Sequence, residues 1–497
     1  MPGSPDRRAL TSRPALLAGA GAVAALAAGF ALSTAGPSTA VAALALVALA
    51  SAAVLVRGAR ITPAHVLCAG VALSVLSGNW GLLGFPFGVD RLVVLAGVAA
   101  TLVAASRDPE IRLVARPVHI ALAATSAWAV CSALLAGTLS STVAVYSLMD
   151  RFGLVPFLAF FAAPYAFRTL AARVALMRTL VVVGAYLGLT AVFEEIGPTA
   201  LVFPRFIMDP SVGLHFDRAR GPFLEASANG VVMVMCAIVC ALAVRQFTGR
   251  WRQVAIAAGG LCLIGVALTL TRSAWIAAVL GGAAALTYAP HLRRYLLPAA
   301  GGLVAVVLAL LLLVPGFAGS AQQRAEDQSP VWDRQNLVTA SARIIDDHPL
   351  FGLGWSRYPT DSPEYFRQAD SYPQQGEGLV VHNVPLLYIT ELGILGFAVW
   401  VLGAAVALIG PLRRRLPSPM ADWQAAHLAI LVAWATVAQF APLAQSMPNL
   451  LVFLWAGVTA GCVPWMSPFS ARPDGARPAR APRGTPADVG PAAPVPS

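Results

Sequence analysis

Residues 254–271 read VAIAAGGLCLIGVALTLT, Arg272 follows, and residues 273–290 read SAWIAAVLGGAAALTYAP. Each flank of that arginine holds 18 residues without a charged side chain. A helix needs roughly 20 mostly apolar residues to cross a bilayer, so the stretch predicts two spans joined by a tight turn that carries one charge. The same pattern recurs along the chain. Residues 14–56 have no charged side chain, enough for two spans around Gly36-Pro37. Further apolar runs lie near 63–79, 91–105, 118–137, 152–167, 177–193, 228–244, 295–314, 384–410, 423–443 and 447–465. The sequence therefore predicts an all-α polytopic transmembrane bundle of about 12–14 spans, with the runs at 91–105 and 152–167 short for a crossing.

Composition agrees. Of 497 residues, 58% are hydrophobic and 11% are charged, and the mean hydropathy is +0.72. Soluble domains carry about 25% charged residues. An ordinary soluble enzyme, a secreted disulfide scaffold and a nucleic-acid binder are all excluded, despite a pI near 10.0. The six cysteines (Cys68, Cys131, Cys236, Cys240, Cys262 and Cys462) each lie inside an apolar run without CxxC spacing. They read as small core or lipid-facing residues with no disulfide or zinc role.

The basic residues orient the bundle. All 34 are arginine. Clusters at Arg7/Arg8/Arg13, Arg57/Arg60, Arg107/Arg112/Arg116, Arg168/Arg173/Arg178, Arg245/Arg250/Arg252, Arg293/Arg294, Arg413–Arg415 and Arg472–Arg483 fall at every second span boundary. Arginine retained on the cytoplasmic side of a membrane produces this alternation. It predicts a multi-pass protein of the cytoplasmic membrane with both termini inside. The first apolar stretch is too long for a cleaved signal peptide and leads directly into a second span. Eleven arginines fall on the opposite side: Arg91, Arg151, Arg205, Arg218, Arg220, Arg272 and five in one long loop.

That loop, residues 315–383, divides the predicted organisation. Residues 1–314 carry transmembrane helices, 315–383 form an extracytoplasmic loop, 384–466 carry three more helices, and 467–497 form a Pro- and Arg-rich, disordered cytoplasmic tail. Within the loop, residues 333–347 have the spacing of an amphipathic helix, with Leu337, Ala340 and Ile344 or Ile345 on one side and His348-Pro349 as the stop. A long loop rich in aromatic residues is more often functional than filler.

Three segments share the outer face. They are Arg218-Ala-Arg220 with the residues up to Asn229, Thr271-Arg272-Ser273, and His382-Asn383 with the residues up to Glu391. Arginine at a membrane edge suits a phosphate or diphosphate, because its fork stays charged and binds in a bidentate way. A charge as isolated as Arg272 is a functional candidate by default, against the alternative of snorkelling to the interface. Arg218 and Arg220 could instead form loop ion pairs with Asp217 or Glu225. A histidine near neutrality suits general-base work, and His382 could deprotonate an acceptor hydroxyl; the plainer reading is a satisfied interfacial histidine. The outer face has no zinc-type cluster, so no metal and no cofactor is required. Glu391 lies nine residues after His382, which puts it on the opposite helical face, toward a neighbouring helix.

These residues resemble a known family. Arg334 with Asp347-His-Pro-Leu-Phe-Gly352-Leu-Gly354-Trp355, then His382-Asn383, then Glu391-Leu-Gly-Ile-Leu-Gly396 resemble the signature of the O-antigen ligase and O-antigen polymerase superfamily. Arg218-Ala-Arg-Gly221-Pro-Phe223 and Thr271-Arg272-Ser273 resemble two upstream motifs. Where the family often has an Asn-Pro-Asn-like run, this chain has Leu224 to Asn229. The resemblance implies a GT-C-like, metal-independent, inverting membrane glycosyltransferase that moves a glycan from an undecaprenyl (or related polyprenyl) diphosphate to an acceptor hydroxyl, in cell-surface polysaccharide biosynthesis. It implies His382 as the catalytic base. It implies Arg218, Arg272 and Arg220 as diphosphate ligands, with Asn229, Arg334, Tyr358, Asn383 and Glu391 in support. The partners implied are a polyprenyl-diphosphate-linked glycan, a glycan or lipid acceptor and membrane lipids, with no nucleic acid. Ligase and polymerase share this chemistry. A transporter or flippase of an anionic lipid or solute would need midplane charges and an internal repeat, and no repeat is evident.

Overall fold

The computed structural model describes residues 61–295 except 86 and 215; 328–417 except 368, 370, 371, 375, 377 and 378; 420–471; and isolated positions between 297 and 326. The spans read in 14–56 and 295–314, and the tail beyond 471, lie outside the described residues. The chain is a polytopic helical bundle. In order come α1 (Pro63–Leu73), α2 (Val89–Arg107), α3 (Pro117–Leu135), α4 (Thr142–Ser147), α5 (Leu154–Ala166), α6 (Leu170–Glu195), α7 (Ala226–Gln246), α8 (Gly249–Leu268) and α9 (Arg272–Tyr288). After the long loop's α10 (Ser329–Asp347) come α11 (Val384–Ile409), α12 (Met420–Ala438) and α13 (Ser446–Ala460). Seven helices among the described residues are long and apolar enough to cross a membrane.

The seven membrane-length helices are apolar on nearly every side, as elements buried in protein or lipid must be. α7 lies against α6, α8, α9 and α12, and α5 packs along α13. All fifteen residues of α13 are buried. Small residues permit the close approaches, as expected where lipid is no less apolar than leucine. A methyl at Gly188 would sit 2.6 Å from the Leu261 carbonyl carbon, and one at Gly457 would sit 2.5 Å from the Phe160 carbonyl oxygen.

The two short apolar runs are completed in different ways. α2 extends the run at 91–105 by two residues at each end. The run at 152–167 is the second half of a crossing that begins at Thr142 and continues through a π-turn, Leu148–Phe152. That turn buries Asp150 and Arg151, and Arg91 and Arg151, expected on the outer side, prove to be in internal ion pairs. Arg91 donates from Nε to both Asp150 carboxylate oxygens at 3.0 Å and also binds Asp90. Trp80 Nε1 donates to Asp90 at 2.7 Å, and Asn449 Nδ2 donates to the Asp150 carbonyl at 3.1 Å.

The basic linkers meet on one side. Arg168 pairs with Asp108 at 3.2 Å, and Asp422 takes Arg245 at 3.1 Å and His291 at 2.9 Å. A two-stranded antiparallel ribbon joins β1 (Ile111–Leu113) to β2 (Phe469–Ala471), just before Arg472. Linkers that the alternation of arginine assigns to one face therefore touch each other. The amphipathic helix expected at 333–347 is α10, which begins four residues earlier, buries Leu337, Ala340 and Ile344, and ends at His348.

Candidate active site

Arg272 owes its position to the turn predicted between two spans. α8 ends at Leu268, Leu270 takes a left-handed conformation (φ 47°), and Arg272 is the first residue of α9. Thr271 Oγ1 donates to the Thr269 carbonyl at 3.0 Å, and Trp275 Nε1 donates to the Val266 carbonyl at 3.0 Å, which ties the reversal together. Arg272 is exposed. Its charge sits at the positive end of a helix dipole, an arrangement unfavourable alone and favourable once an anion joins it.

The second segment leans on that turn. The Ala219 N–H donates to the Leu268 carbonyl at 3.2 Å, placing Arg218 and Arg220 beside the end of α8. The two arginines then diverge. Arg220 turns inward and is fully buried; its guanidinium donates to the carbonyls of Ile207 (2.9 Å), Asp209 and Val212 and lies 4.8 Å from the Phe216 ring centre. Glu194 accepts the backbone N–H groups of Arg220 (3.1 Å) and Gly221 (3.0 Å). Arg220 therefore clamps residues 207–212 and does not present its fork outward. Arg218 is half-buried, and its Nε is buried without a hydrogen-bond partner. Burial pushes its pKa down to about 10. A guanidinium desolvated this far favours an anionic ligand. Glu225, an ion-pair partner considered from sequence, instead accepts from Ser227 Oγ at 2.5 Å.

The third segment begins α11. Asn383 caps that helix, its Oδ1 accepting from the Leu386 N–H at 2.8 Å, while its Nδ2 reaches the Gln439 carbonyl at 3.2 Å. His382, one residue earlier, is half-buried, and its Nδ1 is buried without a partner. Burial lowers its pKa below the ordinary imidazole value; the charge of Arg334 lowers it further and Asp333 opposes the shift. Arg334, on α10, is itself lowered by burial and by the charge of Arg272, and it lies 5.9 Å from the Phe440 ring centre. Arg272, Arg334 and His382, from three distant stretches, thus share one electrostatic neighbourhood, and the backbone next to Arg218 is tied to the end of α8.

The remaining sequence candidates make contacts within the fold. Glu391 is fully buried and pairs with Arg151 at 2.9 Å, so it faces a neighbouring helix and not His382. The N–H groups of Leu353 and Gly354 donate to the Thr390 and Glu391 carbonyls at 2.9 Å, where Gly393 (φ 70°) breaks α11. Tyr358 is buried, with its hydroxyl 3.3 Å from Ser341 Oγ. Asn229 is buried and donates to the Ala219 carbonyl at 3.1 Å, which steadies the Arg218 segment. Sequence reasoning missed Arg151 as the partner of Glu391; the signal was an Asp-Arg pair at 150–151 set between apolar runs. Among the described residues no group of three or more His, Cys, Asp or Glu is placed to hold a metal ion.

Residues 257–401 match the family model described as O-antigen ligase. The matched segment contains Arg272, Arg334, Tyr358, His382, Asn383 and Glu391, whereas Arg218, Arg220 and Asn229 precede it. No curated protein matches the chain.

Proposed function

We propose that this helical membrane protein, whose residues 257–401 match the O-antigen ligase family model, acts in polysaccharide biosynthesis and transfers a glycan from a polyprenyl diphosphate to an acceptor hydroxyl at the outer face of the cytoplasmic membrane. What supports this reading is the electrostatic coupling of Arg334 to both Arg272 and His382, with the Arg218 segment tied to the end of α8 through Ala219. A neutral imidazole takes the acceptor's hydroxyl proton. The acceptor oxygen attacks the anomeric carbon from the side opposite the carrier, so the configuration inverts. The bond from that carbon to the diphosphate oxygen breaks, and the diphosphate leaves with the electron pair.

Electrostatics favours the sequence of events. Burial and Arg334 keep His382 neutral before the donor arrives. A bound diphosphate offsets the guanidinium charge, and the negative charge growing on the leaving group stabilises both the imidazolium and its own contacts with Arg218 and Arg272. Positive charge is thus supplied by side chains, and the reaction proceeds without a metal ion. Arg220, Asn229, Asn383, Tyr358 and Glu391 hold these groups in place. In this reading 315–383 is the extracytoplasmic loop, and both termini are cytoplasmic.

The test is incubation of the purified protein with a polyprenyl-diphosphate oligosaccharide and candidate acceptors in the presence of EDTA. Longer lipid-linked glycan identifies a polymerase, and label on a different acceptor identifies a ligase. Absence of transfer with every acceptor, at full recovery on adding a divalent metal, would overturn the metal-free chemistry.

A further inference from the structure

A cavity of about 500 Å³ opens beside the segment that carries Arg218. Its walls come from three connections: residues 78–82 between α1 and α2, residues 212–225 before α7, and Gln445 before α13. Its polar side chains are Asn79, Glu225 and Gln445, with the backbone of Val212–Leu214 and the apolar Leu82 and Phe223 between them. The polar groups are held. Asn79 Nδ2 donates to the Pro222 carbonyl at 2.8 Å, Gln445 Nε2 donates to the Phe223 carbonyl at 3.3 Å, and Glu225 is hydrogen-bonded to Gln445 and Ser227.

Amides and a carboxylate beside apolar patches match a sugar ring, whose hydroxyls take planar bidentate partners while its C–H faces pack on carbon. The cavity falls within the range of about 300–1,000 Å³ typical of small-ligand sites. Its mixed lining suits neither a hydrocarbon tail nor a bare anion. Its position joins it to the proposed chemistry. Glu225 and Arg218 lie on one segment. Gln445 and Gln439, the partner of Asn383, bound one connection, and six residues span at most about 20 Å.

We propose that this cavity is a glycan subsite, binding a hydroxyl-rich sugar unit near the bond being formed. The proposal rests on the glycan-transfer reading and adds where the saccharide lies: between the connections at 78–82, 212–225 and 445, apart from the long loop.

The probe is the reducing oligosaccharide released by mild acid from the cell's polyprenyl-diphosphate glycan, titrated calorimetrically into the purified full chain. Leu82 is 47% exposed, so Leu82→Trp fills the cavity without disturbing the core. Affinity is expected to fall at least about tenfold in Leu82→Trp and in Gln445→Ala, and to persist in His382→Ala. Steady-state kinetics separates the sources: a raised KM for the lipid-linked donor marks a donor subsite, and a raised KM for the acceptor marks an acceptor subsite. Equal affinity in the wild type and Leu82→Trp, or no binding by the wild type at millimolar saccharide, would overturn the subsite. Because the titration needs no turnover, it reads the cavity even where the transfer reading fails.

Discussion

Arg151 and Glu391, 240 positions apart in sequence, meet at 2.9 Å with side chains 7% and 0% exposed. Arg151 lies on the π-turn of one crossing, and Glu391 lies one residue pair before the break in α11. Arg151 also rests 4.8 Å from the Trp355 ring centre, and the Tyr388 hydroxyl donates to its carbonyl at 2.6 Å. The pair fixes the height at which residues 350–358 dock on the bundle, and so the base of the loop that carries α10 and Arg334.

Removing one member leaves a buried charge without its counterpart, at a cost of about 3–5 kcal/mol. Arg151→Met alone should therefore lower the thermal midpoint in detergent sharply. The double variant Arg151→Met/Glu391→Leu should recover much of the loss, because no isolated charge remains. A double variant no better than the single one would show that the two side chains are not energetically coupled.

Gly393→Ala tests the docking of the loop. Gly393 has φ 70°, and an added methyl would run into the Leu350 carbonyl. The expected outcome is release of residues 350–358, seen as faster proteolysis within the long loop and a loss of transfer, with membrane insertion unaffected. Proteolysis at the wild-type rate would mean that the break in α11 tolerates a side chain.

Most spans were legible because a crossing must be apolar over its whole length, whereas the run at 152–167 gave only the second half of the crossing that begins at Thr142, and α10 was found from its amphipathic spacing. Partnering was less legible. Arg91 and Arg151 stood out as arginines on the wrong face, yet no spacing rule joins them to Asp150 and Glu391, which tertiary packing brings together. Arg218 and Arg220 read as equivalents two positions apart; only the path of residues 207–212 commits Arg220 to backbone carbonyls. His382 and Arg272 were expected on one face from the alternation of arginine, whereas the coupling of Arg334 to both depends on tertiary packing that no spacing rule gives.

The pH dependence follows from the groups around His382. Its pKa is lowered, so the neutral base is present at neutral pH and is lost as pH falls through that lowered value. Arg334→Gln removes a charge that lowers it, so the acid limb of kcat/KM should move to higher pH. Asp333→Asn removes a charge that raises it, so the limb should move to lower pH. Shifts in the same direction for both variants would contradict the arrangement.

Arg272→Lys keeps the charge and removes the fork. A charge-assisted hydrogen bond contributes about 1.5–3 kcal/mol, so kcat/KM should fall about ten- to hundredfold. Arg218→Lys should behave alike. Full activity of either lysine variant in a transfer assay would reduce that arginine to a point charge at the interface.

The most direct measurement compares purified wild type with His382→Ala, using a polyprenyl-diphosphate oligosaccharide and its acceptor, with donor binding recorded on the same samples. With the imidazole as general base, transfer should fall by about a hundredfold to ten-thousandfold while the donor still binds. Transfer at the wild-type rate by a folded His382→Ala protein would contradict the account.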